Sequence, residues 1–208
     1  MKIAVVGLWH LGTITSLSLS KLNNLVYAFD NKKIIDEFNL NNPPIQENGV
    51  LELLKKYKNK NIFFNQNFDD LNKFNLIWVT YDSKIDNKDK SDFKYIFSKI
   101  KNILKHVKKN TTIIISSQLQ IGSTIKIENF EKKFIKKNTS FVYIPENLRL
   151  GSSINLFLNP DRIVIGLRND KNFKKNKSII NKLFHNLNCK KIIVNPETAE
   201  MSKHVING

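Results

Sequence analysis

Short apolar runs alternate along this chain with stretches of helical periodicity, and that alternation constrains the fold more than any other feature. The runs are Ile3 to Val6, Leu25 to Phe29, Leu76 to Val79, Thr111 to Ile115, Phe141 to Ile144, Ile163 to Ile165 and Ile192 to Val194. Their near-continuous apolar content predicts strands covered on both faces. Between them, Phe93, Ile96, Phe97, Ile100, Leu104 and Val107 recur at three- and four-residue spacing with lysines on the other side, a stripe suited to lying on a sheet. Helical patterns also cover Leu11 to Leu22, Lys32 to Phe38, Val50 to Tyr57, Ile125 to Phe134 and Ser178 to Leu187. Strand, helix, strand at this pitch predicts an α/β fold, a doubly wound parallel sheet with helices on both faces. No internal repeat is present, and 208 residues suffice to bury a full core.

The first predicted strand runs directly into Gly7-Leu8-Trp9-His10-Leu11-Gly12 and then a helix. In a Rossmann-like dinucleotide turn, the outer glycines make the tight bend and let strand and helix pack closely, and the helix amides attract an anion. Trp9 stands where the middle glycine of that pattern would be. An acid, Asp30, closes the second strand 23 positions after Gly7, where a carboxylate accepts both ribose hydroxyls and repels a 2′-phosphate. NAD is therefore expected rather than NADP, with Gly7, the amides of Leu8, Trp9, His10 and Leu11, Gly12, Asp30 and the nearby Lys32 as its contacts.

Charge points elsewhere at first sight: 34 basic against 18 acidic residues give a net charge of +16. Only Arg149, Arg162 and Arg168 are arginines, however, and the lysines are scattered through every polar stretch, so no nucleic-acid partner is expected. No run approaches the roughly 18 apolar residues of a membrane span, and the start lacks the features of a leader, so a cytoplasmic protein without membrane association is expected. The one cysteine, Cys189, excludes internal disulfides and reads as a small packed residue, and the four histidines are not spaced as metal ligands.

Five blocks in order resemble the UDP-glucose/GDP-mannose dehydrogenase family. They are Met1 to Gly12; Pro43-Pro44-Ile45-Gln46-Glu47-Asn48-Gly49-Val50-Leu51-Glu52-Leu53-Leu54; Ser116-Ser117-Gln118-Leu119-Gln120-Ile121-Gly122-Ser123-Thr124; Tyr143 to Gly151 with Asn159-Pro160-Asp161-Arg162-Ile163-Val164-Ile165-Gly166; and Glu197 to Asn207. The last is similar to the start of the family's long central helix. The resemblance implies oxidation of a nucleotide-sugar C6 alcohol to a carboxylate with two NAD+ and a cysteine thiol that carries the intermediate. It assigns Glu146 to the hydrolytic step. Lys203 and Asn207, four apart on one helix face, are assigned to a shared oxyanion. Glu146, Asn147, Leu148, Arg149 and Lys203 fall on the sugar side, and Thr80, Ser83 and Gln118 on the cofactor side.

Departures from the family pattern are specific. Nothing matches its Gly-rich cysteine motif, Leu150 replaces the second glutamate of the Pro-Glu block, Ser116-Ser117-Gln118 replaces Lys-Ser-Thr, and Tyr81-Asp82-Ser83-Lys84 stands in the region of the usual Thr-Pro. The expected organisation is an NAD-binding domain over 1–195 and the start of the central helix over 196–208. The missing middle segment would form the homodimer of the full enzyme. By itself the chain is expected to bind NAD(H) weakly and oxidise nothing, as the amino-terminal part of a longer enzyme, a truncated gene product or a silent NAD-binding remnant.

Overall fold

The computed structural model describes residues 1–82, 93–146 and 148–207, with side chains to Ser202. Eight strands form one sheet: β1 (Lys2–Val6), β2 (Leu25–Phe29), β3 (Ile62–Asn65), β4 (Leu76–Val79), β5 (Thr112–Ile115), β6 (Ser140–Tyr143), β7 (Arg162–Leu167) and β8 (Lys190–Val194), in the order β3-β2-β1-β4-β5-β6-β7-β8. Helices are α1 (His10–Lys21), α2 (Lys32–Asn39), α3 (Val50–Tyr57), α4 (Phe93–His106), α5 (Ser123–Phe130), α6 (Ser153–Leu158), α7 (Phe173–Leu183) and α8 (Pro196–Asn207).

The strands separate two apolar layers because successive side chains point to opposite faces. Ile3, Val5, Val26, Trp78 and Ile114 join residues of α1, α2, α3, α6 and α7. Ala4, Val6, Ile77, Val79, Ile113 and Ile115 join residues of α4, α5 and α8. The doubly wound α/β expectation is met. The chain winds outward from β1 to β3, then crosses to β4 on the other side of β1, so the order reverses between β1 and β4. Ligand crevices open at the carboxyl ends of strands at such a reversal.

Three features differ from the expectation. The edge strand β3 was not foreseen. The β6–β7 pair is antiparallel, whereas every other neighbouring pair is parallel. After β6 the chain stays at the carboxyl edge, where Ser153 at the start of the short α6 touches His10 at the start of α1, and β7 therefore enters from that edge. The paired residues are Val142 with Leu167 and Tyr143 with Gly166, so Arg162–Ile165 continue past the end of β6, flanked by β8, and Arg162, Ile163 and Val164 line the cavity there. Finally, α7 begins five residues before the expected Ser178, since its buried stripe includes Asn176, held by the hydroxyls of Thr112 and Ser140 at 3.0 Å each.

The first half of α8 is packed into this domain. Ala199 and Glu200 are fully buried, and a Cβ at Gly166 would lie 2.9 Å from both Ala199 Cβ and Pro196 Cα. Glu200 accepts from the Gly122 amide (2.6 Å), the Thr124 amide (2.7 Å) and the Thr124 hydroxyl (2.6 Å), satisfying orphan donors at the start of α5. The Arg168 guanidinium bridges Glu128 at 2.9 Å and Glu197 at 2.7 Å, fastening α5 and α8 to the end of β7.

Candidate functional site

The turn between β1 and α1 is built around two glycines that no other residue can replace. Gly7 has φ +99°, and a Cβ on it would lie 2.7 Å from Tyr81 Cδ1. A Cβ on Gly12 would lie 1.7 Å from the Gly7 carbonyl oxygen, so strand and helix meet at backbone contact. Trp9 takes the N-cap position at φ −75°, outside the left-handed region that favours glycine, and stays 52% exposed. Leu8 is fully buried, so at that position only the backbone can meet a ligand, whereas buried Leu11 lines an apolar cavity beside the turn. Thr80 is fully buried, and its hydroxyl donates to the Gly7 carbonyl at 2.8 Å, with the Val6 carbonyl at 3.1 Å, bracing the turn from behind.

Asp30 follows β2 and faces this turn. Its Oδ2 accepts the Leu8 amide at 2.6 Å, and its Oδ1 accepts the Asn31 amide at 2.7 Å and the Asn31 side chain at 2.9 Å. The Leu8 amide is thus engaged by Asp30, leaving the amides further into α1 for an anion. Lys32, at the start of α2, pairs with Asp36 across one helical turn at 2.7 Å on the surface.

Sequence reasoning did not single out the groups that surround His10. Its Nε2 lies 2.6 Å from Glu47 Oε1 and 3.1 Å from Ser153 Oγ, and Glu47 also accepts the Ser153 hydroxyl (3.0 Å) and amide (3.2 Å). Burial pushes the Glu47 carboxyl up, but the hydrogen bonds from Ser153 and His10 outweigh it and hold the group below its ordinary value. Asp82, just beyond β4, was likewise not assigned a role. Burial, reinforced by the charge of Glu146, pushes its carboxyl up to about 6 against the opposing effects of His10 and of the Leu11 amide nearby. Its Oδ2 is buried without a hydrogen-bond partner among the described residues. An acid directly after the strand beside β1, at the point of order reversal, was the available signal.

Glu146 sits beyond β6 with Oε2 accepting the Leu148 amide at 2.7 Å. It lines an apolar cavity of about 90 Å³ with Leu11, Thr15, Trp78, Ser116 and Pro145. Gln118 is half-buried in the segment leaving β5 at the same sheet edge, and Arg149 accepts through its carbonyl from Ser153 Oγ at 2.8 Å. The structure therefore brings together the turn, Asp30, His10, Asp82 and Glu146. Ser83 and Asn147 lie outside the described residues. Lys203 and Asn207 lie on α8, and their side chains are outside the description. Cys189 is half-buried against the α1–α7 layer, less enclosed than expected. Among the described residues no group of three His, Cys, Asp or Glu side chains is placed to hold a metal, and no helix is long and apolar enough to cross a membrane.

The residues present fit a dinucleotide. Two glycines bring the backbone of a helix start to the crevice, where a diphosphate needs amide donors, and a carboxylate stands at the end of the neighbouring strand, where an adenosine ribose needs an acceptor.

Residues 1–188 match the model of the UDP-glucose/GDP-mannose dehydrogenase family, NAD binding domain. Among curated relatives, UDP-glucose 6-dehydrogenases of Rickettsia prowazekii and Rickettsia conorii are 29% and 30% identical over 219 and 217 residues, covering all of this chain and 48% of each relative. The uncharacterized protein MJ1054 of Methanocaldococcus jannaschii is 28% identical over 212 residues, all of this chain and 23% of that protein. The chain thus spans less than half the length of these curated relatives. In fold it is similar to the GDP-mannose dehydrogenase of Pseudomonas aeruginosa (TM-score 0.87, 22% identity, all of this chain and 49% of that one). It is also similar to the UDP-D-ManNAc dehydrogenase of Pyrococcus horikoshii (TM-score 0.86, 21% identity, all of this chain and 50% of that one).

Proposed function

The chain belongs to the UDP-glucose/GDP-mannose dehydrogenase family through its NAD-binding domain, and from that premise we propose that it serves an oxidation of a nucleotide-sugar C6 alcohol to a carboxylate with two NAD+. The observation that carries the reading is the glycine-bounded start of α1 with Asp30 held 2.6 Å from its turn. Bound NAD+ supplies the hydride acceptor.

In this proposal the amides of α1 hold the diphosphate end and Asp30 accepts the adenosine ribose hydroxyls. Thr80 keeps Gly7 in place, and Gln118 offers its amide toward the nicotinamide. Glu146 takes a proton from water in the hydrolytic step, and it is carried at the sheet edge where substrates of open α/β folds meet their cofactor. Lys203 and Asn207 stabilise the developing oxyanion, and the segment from Glu146 through Leu148 to Arg149 borders the sugar. Cys189 lies half-buried against the apolar layer, so the proposed thiol nucleophile comes from sequence other than these 208 residues, as do the central segment and the homodimer contact. Residues 1–195 form the cofactor domain and 196–208 open the central helix of a cytoplasmic enzyme.

Calorimetric titration with NAD+ and NADP+ tests the cofactor half of this reading: NAD+ is expected to bind the more tightly, and no heat from either at millimolar concentration refutes it. NADH formation with UDP- and GDP-sugars tests the other half. An intact NAD+ site with no turnover in the complete gene product favours the silent NAD-binding domain, the reading to which the exposed Leu150 in place of a glutamate already lends support.

A further inference from the structure

His10 belongs to two arrangements at once. As the first residue of α1 it carries one of the amides that have no acceptor within the helix, the donors that the proposed diphosphate site uses. Its imidazole is tied to two segments far off in sequence: Nε2 lies 2.6 Å from Glu47 Oε1, before α3, and 3.1 Å from Ser153 Oγ, at the start of α6. Glu47 closes the ring by accepting the Ser153 hydroxyl at 3.0 Å and the Ser153 amide at 3.2 Å. The cluster is enclosed: Ser153 is fully buried and the Glu47 side chain is 3% exposed.

This clasp stands between the two sides of the proposed site. Ser153 ends the stretch 148–153, which follows Glu146 and includes Leu148 and Arg149 of the sugar side. Apolar packing between that stretch and α1 is interrupted. Leu11 and Thr15 of α1 line the cavity of about 90 Å³ together with Leu148, Leu156 and Phe157, and the fully buried Thr15 hydroxyl has no partner among the described residues. A gap forfeits dispersion contacts on its walls, so more of the fastening falls to the polar clasp.

We propose that His10 is a positioning residue: through Glu47 and Ser153 it ties residues 148–153 to the cofactor turn, so that dinucleotide binding at α1 and docking of that stretch form one coupled equilibrium. The inference rests on the NAD-binding reading and gives the His10 side chain a task separate from that of its amide. When the stretch detaches, Glu47 loses both Ser153 donors and keeps His10, which leaves an enclosed carboxylate less compensated beside the helix start whose amides a diphosphate needs. An anion binds less well next to such a group, so the detached form holds the cofactor more weakly than the docked form. By linkage, bound cofactor favours the docked form by the same factor.

Hydrogen exchange on the full chain, read by mass spectrometry with and without NAD+, tests this, because the Ser153 amide is itself a member of the clasp. Each protein is first titrated with NAD+ by calorimetry and then measured at saturation. In the wild type, the amides of residues 148–154 are expected to exchange at least about fivefold more slowly with NAD+, the lower end of ordinary coupling between sites. His10→Ala is expected to exchange faster without cofactor and to keep less than about twofold of the slowing. His10→Gln, whose amide nitrogen can stand where Nε2 stood, is expected to restore it. A merely structural histidine would speed exchange equally in both states, so the ratio of the two rates is the measurement. A wild-type ratio near one despite NAD+ binding, an undiminished ratio in His10→Ala, or no recovery in His10→Gln overturns the proposal. Should His10→Ala fail to fold, Ser153→Ala takes its place in the comparison, with the same loss of slowing expected. No heat from NAD+ with the wild type removes the cofactor reading, and this inference with it.

Discussion

Replacing Asp30 separates the two tasks that the structure gives it. In Asp30→Ala the amide of the fully buried Leu8 loses its 2.6 Å acceptor. An unsatisfied buried donor costs about 1–3 kcal/mol, so the unliganded chain is expected to lose that much stability in denaturant unfolding. The ribose loses its acceptor as well. Charge-assisted hydrogen bonds of this kind contribute about 1–3 kcal/mol, which is roughly 5- to 150-fold in the NAD+ dissociation constant. Asp30→Asn keeps a side-chain oxygen for the Leu8 amide but removes the charge. It should recover most of the stability and only part of the affinity, and it should narrow the preference for NAD+ over NADP+, because a neutral amide no longer repels a 2′-phosphate. Calorimetry and urea unfolding on the same three proteins give both numbers. If Asp30→Ala lowers stability but leaves NAD+ affinity untouched, Asp30 only holds the turn and its ribose role is refuted.

Gly12→Ala places a Cβ 1.7 Å from the Gly7 oxygen, a clash that backbone shifts must absorb; a loss above about 4 kcal/mol or failure to fold is expected in thermal unfolding, and a mild effect contradicts the close strand–helix contact. Glu200→Ala strands three donors at the start of α5 and is expected to cost about 3–5 kcal/mol, with Glu200→Gln recovering part; a melting temperature within a degree or so of wild type is inconsistent with the α8 clasp. Glu47 is held below its ordinary value, so its contribution to stability is present above the unfolded value and is lost as pH falls through the depressed folded one. Acid unfolding should therefore shift in Glu47→Gln, whose stability changes less with pH on the acid side, and identical acid limbs for the two proteins would argue against the clasp with His10 and Ser153.

How far the sequence revealed the fold depended on which side chains each element buries. Leu25–Phe29 and Val50–Tyr57 match the expected spans because apolar residues alone define them. The strand Ile62–Asn65 escaped because it is a half-exposed edge of four residues among lysines and asparagines. Antiparallel β7 was invisible because its apolar run reads the same in either direction; what reverses it is the tie of Ser153 to His10, 143 positions away. The site divides along the same line. Gly7, Gly12 and Asp30 are legible since the turn is contiguous and Asp30 lies one crossover away, whereas Glu47 and Ser153 are joined across 106 residues by a hydrogen bond that no local pattern encodes.

The acids explain why net charge said so little about function. With 34 basic residues against 18 acidic ones, a carboxylate here has lysines available on every face. Apart from Glu128, which pairs with Arg168, enclosed carboxylates nevertheless turn to backbone amides: Asp30 to Leu8, Glu47 to Ser153, Glu131 to Lys137 and Thr139, Glu146 to Leu148, and Glu200 to Gly122 and Thr124. An amide freed by a tight turn or a helix start has a fixed direction and no water to replace its partner, so losing the acid leaves a buried donor unmet. A surface lysine loses little when its partner goes, and drift toward lysine leaves such positions unconstrained. Most of these amides, those held by Glu131 just before β6 excepted, lie at the carboxyl edge of the sheet, which is why acids crowd a crevice whose ligand is itself an anion.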